Sequence, residues 1–164
     1  MEIIIDGYNL IGTDGGLTGN LEHKRNWLIQ ELASYQRAKS YDITVVFDGW
    51  RSGSVDQVEE KRAGVGIIYS RLGEKADSVI IRLARKKGSG CVVVTSDREV
   101  RNAVERFGVV ALYAGQFRAM LHNQDESFDD AQPEDRRRTL KKGNPRRLSK
   151  KERKRREKLR KLKS

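Results

Sequence analysis

The sequence predicts a three-layer α/β/α sandwich with a mostly parallel central sheet, followed by a basic C-terminal tail. Three observations lead there. Short, continuous apolar runs rich in β-branched residues recur along the first two thirds of the chain. Amphipathic stretches of helical spacing lie between most of them. Charge then divides the chain in two, with 17 Lys/Arg against 19 Asp/Glu over residues 1–133 (net −2) and 17 against 4 over residues 134–164 (net +13). Strands that are apolar throughout, rather than alternating, belong to a parallel sheet covered on both faces, and intervening helices supply the cover.

The elements follow in order. EIII (2–5) is a short buried strand, and it runs straight into Asp6. A glycine-rich loop (Gly12, Gly15, Gly16, Gly19) leads to Asn20, a helix N-cap, and Leu21, Leu28, Leu32 and Tyr35 recur at helical spacing to about Lys39. ITVVFDG (43–49) is the second strand; the polar segment after it reads as loop or helix, and VGIIYS (65–70) is the third. EKADSVIIRLARKKG (74–88) is a helix with Ala76, Val79, Ile80 and Leu83 inward and Gly88 as its stop. CVVVTSD (91–97) is the fourth strand. In the helix REVRNAVERFG (98–108), Val100, Ala103, Val104 and Phe107 face inward. VVALYAG (109–115) is the fifth strand and QFRAMLHN a last short helix, which places the domain at residues 1–124.

Residues 125–164 are a linker and tail of another kind. From residue 134 onward the large apolar residues are Leu140, Leu148, Leu159 and Leu162. So few cannot offset an ordering entropy of roughly 1–2 kcal/mol per residue, and the tail is expected to be disordered or a fraying helix until it meets an anionic surface. Ser149 and Glu152 form a capping box at the start of the last basic run. The tail is basic without aromatic residues, which suits phosphate neutralisation rather than base stacking. The expected RNA contacts are Arg136, Arg137, Arg138, Lys141, Lys142, Arg146, Arg147, Lys150, Lys151, Arg153, Lys154, Arg155 and Arg156. Leu159 and Leu162 make too small an apolar face for a membrane surface. A single cysteine, Cys91, excludes an internal disulfide, and no run approaches the ~18 apolar residues of a membrane span, so a soluble, cytoplasmic protein is expected.

Four carboxylates are placed by this topology at one edge. Asp6, Asp48 and Asp97 end strands, and Asp77 opens the helix that follows the third strand. In a parallel sheet these positions share the C-terminal rim, where ligands of α/β sheets bind. Carboxylates so gathered repel one another, and a hard divalent cation, Mg²⁺ or Mn²⁺, relieves the repulsion and can promote in-line attack on a phosphodiester. Each aspartate alone equally suits a helix cap or turn. His23 and His122 are far apart in sequence and offer no zinc set.

IIIDGYNLIG, VVFDG, GVGIIYSRLGEKADSVI and VVVTSDREVRNAVERFGV occur in the order found in the YacP-like NYN-domain ribonucleases, and over residues 1–124 the chain resembles that family. The resemblance implies a PIN-like fold and a Mg²⁺- or Mn²⁺-dependent endoribonuclease. Its catalytic set would be Asp6, Asp77, Asp97 and Asn9, with Asp6, Asp77, Asp97 and Asp48 toward the metal. On that basis Asp6 and Asp97 are expected to hold the ion, Asp77 to join directly or through water, and hydroxide attack at phosphorus to leave a 5′-phosphate and a 3′-hydroxyl. Ser78 stands where relatives commonly show a second acid. Tyr8 is open to stacking on a base or to packing, and Arg98 to pairing with a phosphate oxygen or to simple exposure at a helix start. The implied partners are RNA, either mRNA or structured stable RNA, and the ribosome. The rival reading is a non-catalytic RNA- or ribosome-binding protein with a degenerate acidic rim. A phospho-acceptor receiver domain would want a lysine after the fifth strand, where AGQFR stands, and neither G-x-G-x-x-G nor Walker A spacing is found.

Overall fold

The structure is a computed structural model, and it describes residues 1–49, 55–122 and 149–163. The elements run β1 (Glu2–Asp6), α1 (Gly7–Gly12), α2 (Leu21–Lys39), β2 (Asp42–Phe47), β3 (Val58–Arg62), β4 (Val65–Tyr69), α3 (Ala76–Lys87), β5 (Cys91–Val94), α4 (Arg98–Arg106), β6 (Val110–Leu112), α5 (Ala114–His122) and α6 (Lys150–Lys163). The sheet order is β3-β4-β2-β1-β5-β6, parallel except for β3, which pairs antiparallel with β4. This is the α/β/α sandwich expected from the sequence.

Alternation along the central strands divides the core. Ile3, Ile5, Val45, Phe47, Val92 and Val94 face α1, α2 and α5, while Ile4, Val46, Ile68 and Val93 face α3 and α4. In β1 the register sets Glu2 opposite Asp42 and Asp6 opposite Val46, so Asp6 emerges at the C-terminal edge between its two neighbour strands.

Four features differ from the sequence reading. The polar segment before β4 holds β3, an exposed edge strand whose VEEKR sequence has no buried face to declare it. The chain after Asp6 turns directly into the short helix α1, because the Asp6 side chain caps it by accepting from Asn9 N at 3.1 Å. Phe107 does not face inward: it is 37 % exposed, with the Arg85 guanidinium over its ring.

The largest difference is in the tail. Its last turns form α6, capped as expected by the reciprocal Ser149–Glu152 bonds, and the helix docks on the domain. Leu162 is 1 % exposed and joins the core cluster, with Leu159 packed beside it. The Tyr35 hydroxyl donates to Leu162 O (2.8 Å), the Tyr41 hydroxyl to Lys161 O, and Lys158 Nζ to Ser89 O and Cys91 O (2.8 and 2.5 Å). Two leucines suffice because these polar groups, on α2, just before β2 and at the start of β5, anchor the last turns of the helix, while its first turns lie beside β6 at the edge of the sheet. The expected contacts Arg136, Arg137, Arg138, Lys141, Lys142, Arg146 and Arg147 lie outside the described residues.

Candidate functional site

The rim is built from helix starts. Asp6 caps α1, and its second oxygen accepts from the Thr95 hydroxyl at 3.3 Å. Asp97 caps α4, with Oδ1 accepting from Glu99 N (2.7 Å) and Val100 N (3.0 Å). Asp48 reaches across to the start of α3 and accepts from Ala76 N at 2.7 Å. Asp77 follows in the first turn of α3. Three of the four aspartates therefore do cap helices, and the capping is what fixes them at one edge.

Neutral side chains lock the rim together. Asn9 Oδ1 accepts from Ser96 N (3.1 Å), tying α1 to the loop after β5. The Thr95 hydroxyl also accepts from Asp97 N (3.1 Å), so one fully buried threonine touches both Asp6 and Asp97. Ser70, equally buried, accepts from Gly49 N (2.9 Å) and donates to Glu74 O (2.6 Å), bracing the turn beside Asp48. Thr95 and Ser70 were missed in the sequence, where a hydroxyl ending a strand carries no distinguishing signal.

The carboxylates feel one another. Burial pushes Asp6 up to about 6; the Asn9 bond opposes this, and the charges of Asp77 and Asp48 add to it. Asp77 is also raised, first by burial and then by Asp97 and Asp48, with Glu99 contributing and Lys75 opposing. Partly buried carboxylates that raise one another's titration mark candidate functional sites.

Among the described residues no three His, Cys, Asp or Glu side chains form a ready metal-binding group, so the four aspartates are not a closed cage. The donor chemistry still fits a hard cation, which is held by one or two carboxylates with water and substrate phosphate completing the shell. Asp6 and Asp77, the two whose titration is raised, are the pair suited to it. Asp48 and Asp97 brace the starts of α3 and α4 through one oxygen each, as Asp6 braces that of α1.

Of the two roles open to Tyr8, its surroundings select packing. It is 6 % exposed, set edge-on to Phe47, and its hydroxyl accepts from Arg25 at 2.9 Å. Arg98 lies exposed at the first position of α4, on the same rim. On α6, Lys151 pairs with Glu105 (2.6 Å) and Arg155 reaches Gln116 (3.4 Å), whereas Lys150, Arg153, Lys154 and Arg156 are exposed.

Comparison with known proteins agrees with this architecture. The chain is 34 % identical over 89 residues to the uncharacterised protein YacP of Bacillus subtilis (strain 168), an alignment spanning about half the length of each. The crystal structure of Rae1 (YacP) from Bacillus subtilis superposes with a TM-score of 0.62 at 27 % identity over 74 % of each chain, and that of a mutant of the same protein with 0.63. No helix among the described residues is long and apolar enough to cross a membrane. NYN domains are nuclease-like, and the family pattern runs on through α6, past the boundary at 124 drawn from the sequence. Residues 3–161 match the YacP-like NYN domain, and the chain belongs to that family.

Proposed function

We propose that the protein is a Mg²⁺- or Mn²⁺-dependent endoribonuclease working at the Asp6–Asp77 rim, with the basic α6 helping to hold RNA or the ribosome. The observation that carries this reading is the set of partly buried aspartates at the C-terminal edge of the sheet, in which Asp6 is raised by burial and by Asp77 and Asp48, and Asp77 by burial and by Asp97 and Asp48. A divalent ion bound there would supply water activation and charge neutralisation at phosphorus. The chain's own residues prepare the place. Thr95 and Asn9 N hold the Asp6 carboxylate in one orientation, and Asn9 in turn fixes the loop carrying Asp97. Asp48 sets the start of α3 and hence the position of Asp77.

End-labelled single-stranded and structured RNA, incubated with Mn²⁺, Mg²⁺ or EDTA, with and without ribosomes, tests the reading. Cleavage is expected with either metal, lost in EDTA, and reduced ~100-fold or more by Asp77→Asn, at or beyond the effect of losing a residue that orients a metal ligand. Equal cutting in EDTA, or full activity of Asp77→Asn, overturns it. The second reading, a non-catalytic RNA binder, is favoured by Ser78 and by the open carboxylate arrangement. It predicts tight binding without cutting, ribosomes included.

For α6 the expected signature is in salt dependence. Arg153, Arg156 and Arg160 lie three and four residues apart on its exposed side. Changing all three to Gln spares the Leu159–Leu162 anchor. If each meets a phosphate of single-stranded RNA, the slope of log K against log salt falls by about 2, at ~0.7 per contact. An unchanged slope removes α6 from the RNA path.

A further inference from the structure

We propose that the pocket at the far end of α1, built on Trp27, is a nucleobase-stacking subsite for single-stranded RNA. The proposal rests on the nuclease reading for its polymer and goes beyond it in assigning a second place of contact. Trp27 is 45 % exposed, far more than its neighbours on the buried face of α2. Beside it opens a cavity of about 310 Å³ bounded by Ile11, Leu28, His23 and Lys24, a volume in the range of small-ligand sites.

The ring is held from one side. The Arg118 guanidinium lies 4.5 Å from the Trp27 ring centre and is itself only 5 % exposed. Arg118 is fixed by both oxygens of Asp14 and by Glu31 (2.5 Å to Glu31), so this clamp joins α5, the loop after α1 and α2. A solvent-facing indole backed by a buried, doubly paired arginine is a preorganised platform rather than a loose surface side chain. Stacking on such a ring is open to any base.

Charge around the pocket is close to balanced. Asp14 and Glu31 are answered by Arg118 and Lys24, and Lys24 is turned to Gly16 O at 2.8 Å. Attraction here therefore comes from the ring and not from phosphate neutralisation. The position also suits the rim. α2 begins on the same edge, since its other end leads into the start of β2, and α5 follows the C-terminal end of β6. α1, six residues or about 9 Å at 1.5 Å each, begins directly after Asp6 and carries Ile11, beside the pocket, near its other end. A single strand bound at the rim can therefore extend along α1 to Trp27.

The test uses the full chain carrying Trp50→Phe, which leaves Trp27 as its one tryptophan, with Asp6→Asn and EDTA to prevent cutting. Titration with an eight-nucleotide single-stranded oligoribonucleotide is expected to quench Trp27 fluorescence saturably. Trp27→Ala is expected to weaken binding of that oligonucleotide roughly 10- to 100-fold, by about the same factor at low and high salt, and Trp27→Phe to recover most of the loss. Matching circular dichroism of the Ala and Phe variants separates lost stacking from lost fold. Absence of quenching, an unaffected Trp27→Ala, or quenching by duplex but not by single strand overturns the subsite. Because no step needs cleavage, failure of the wild-type protein to cut RNA removes the nuclease reading, while quenching in this titration leaves the subsite standing.

Discussion

Asp6→Asn is expected to abolish the proposed nuclease activity while making the protein more stable. On the activity side, one of the two carboxylates suited to the metal is gone, and cleavage should fall ~100-fold or more. On the stability side, the wild-type carboxylate titrates at about 6 in the fold against 3.8 for the free group. A raised carboxyl pKa means that the fold disfavours the charged form. The penalty is fully present above pH 6, shrinks as the pH falls from 6 towards 4, and is absent below both values. Its size at neutral pH is on the order of 3 kcal/mol at most, from 1.36 kcal/mol per pKa unit. Asparagine keeps its Oδ1 for the cap on Asn9 N and turns its NH2 to the Thr95 hydroxyl, which then accepts, all without the charge. Thermal melts in EDTA should therefore show the variant several degrees above wild type at pH 8, at about 2–4 °C per kcal/mol for this size, and nearly level with it at pH 4. Equal melting temperatures at pH 8 would mean that the buried carboxylate is solvated better than its surroundings indicate.

Gly7→Ala should be among the most damaging single-methyl changes. A Cβ on Gly7 would lie 2.2 Å from Phe47 Cε1 and 2.5 Å from Cδ1. Phe47 cannot give way: it is fully buried, with Tyr8 edge-on at 5.1 Å and Tyr69 stacked at 5.6 Å. The start of α1 must move instead, and with it the Asp6–Asn9 cap and the Asn9–Ser96 bond. Overpacking of this kind costs about 1–3 kcal/mol or more, and the displaced Asp6 should lose most of its activity. Gly12→Ala, on the same helix with nothing within 4 Å of the new methyl, is the internal control. It should be neutral or slightly stabilising, by up to about 1 kcal/mol. Urea titration of both variants measures the contrast, and similar midpoints would show that Phe47 has room to move.

The opening motif thus explains itself from two directions. Three isoleucines end on an aspartate because β1 delivers that residue to the rim, and the glycine that follows is small because α1 must pass over the Phe47 ring. The strands and most of the helices were legible because burial on both faces writes continuous apolar runs and covering helices write a 3.6-residue period. β3 was not, since an exposed edge strand buries nothing and VEEKR has no pattern to read. α1 was hidden because its cap, Asp6, was read as the end of the strand before it. The docking of α6 escaped because two leucines looked insufficient without Tyr35, Tyr41 and Lys158, residues whose partners are set by the fold. The rim aspartates were found by topology alone. Thr95 and the Trp27–Arg118 pair could not be, because Arg118 meets Trp27 and Asp14 only after the whole sheet has formed.

The position of α6 beside β6 has a consequence in time. During synthesis the sheet is complete at Leu112, but the helix that lies along its edge begins only at Lys150. At ribosomal speeds of about 5–20 residues per second, that leaves an interval on the order of seconds in which β6 carries an unpaired row of backbone donors and acceptors. A nascent chain halted in that interval lacks α6 beside β6 and is expected to recruit a second strand to that edge more readily than the finished protein. Loss of α6 would be felt first as aggregation of newly made chains.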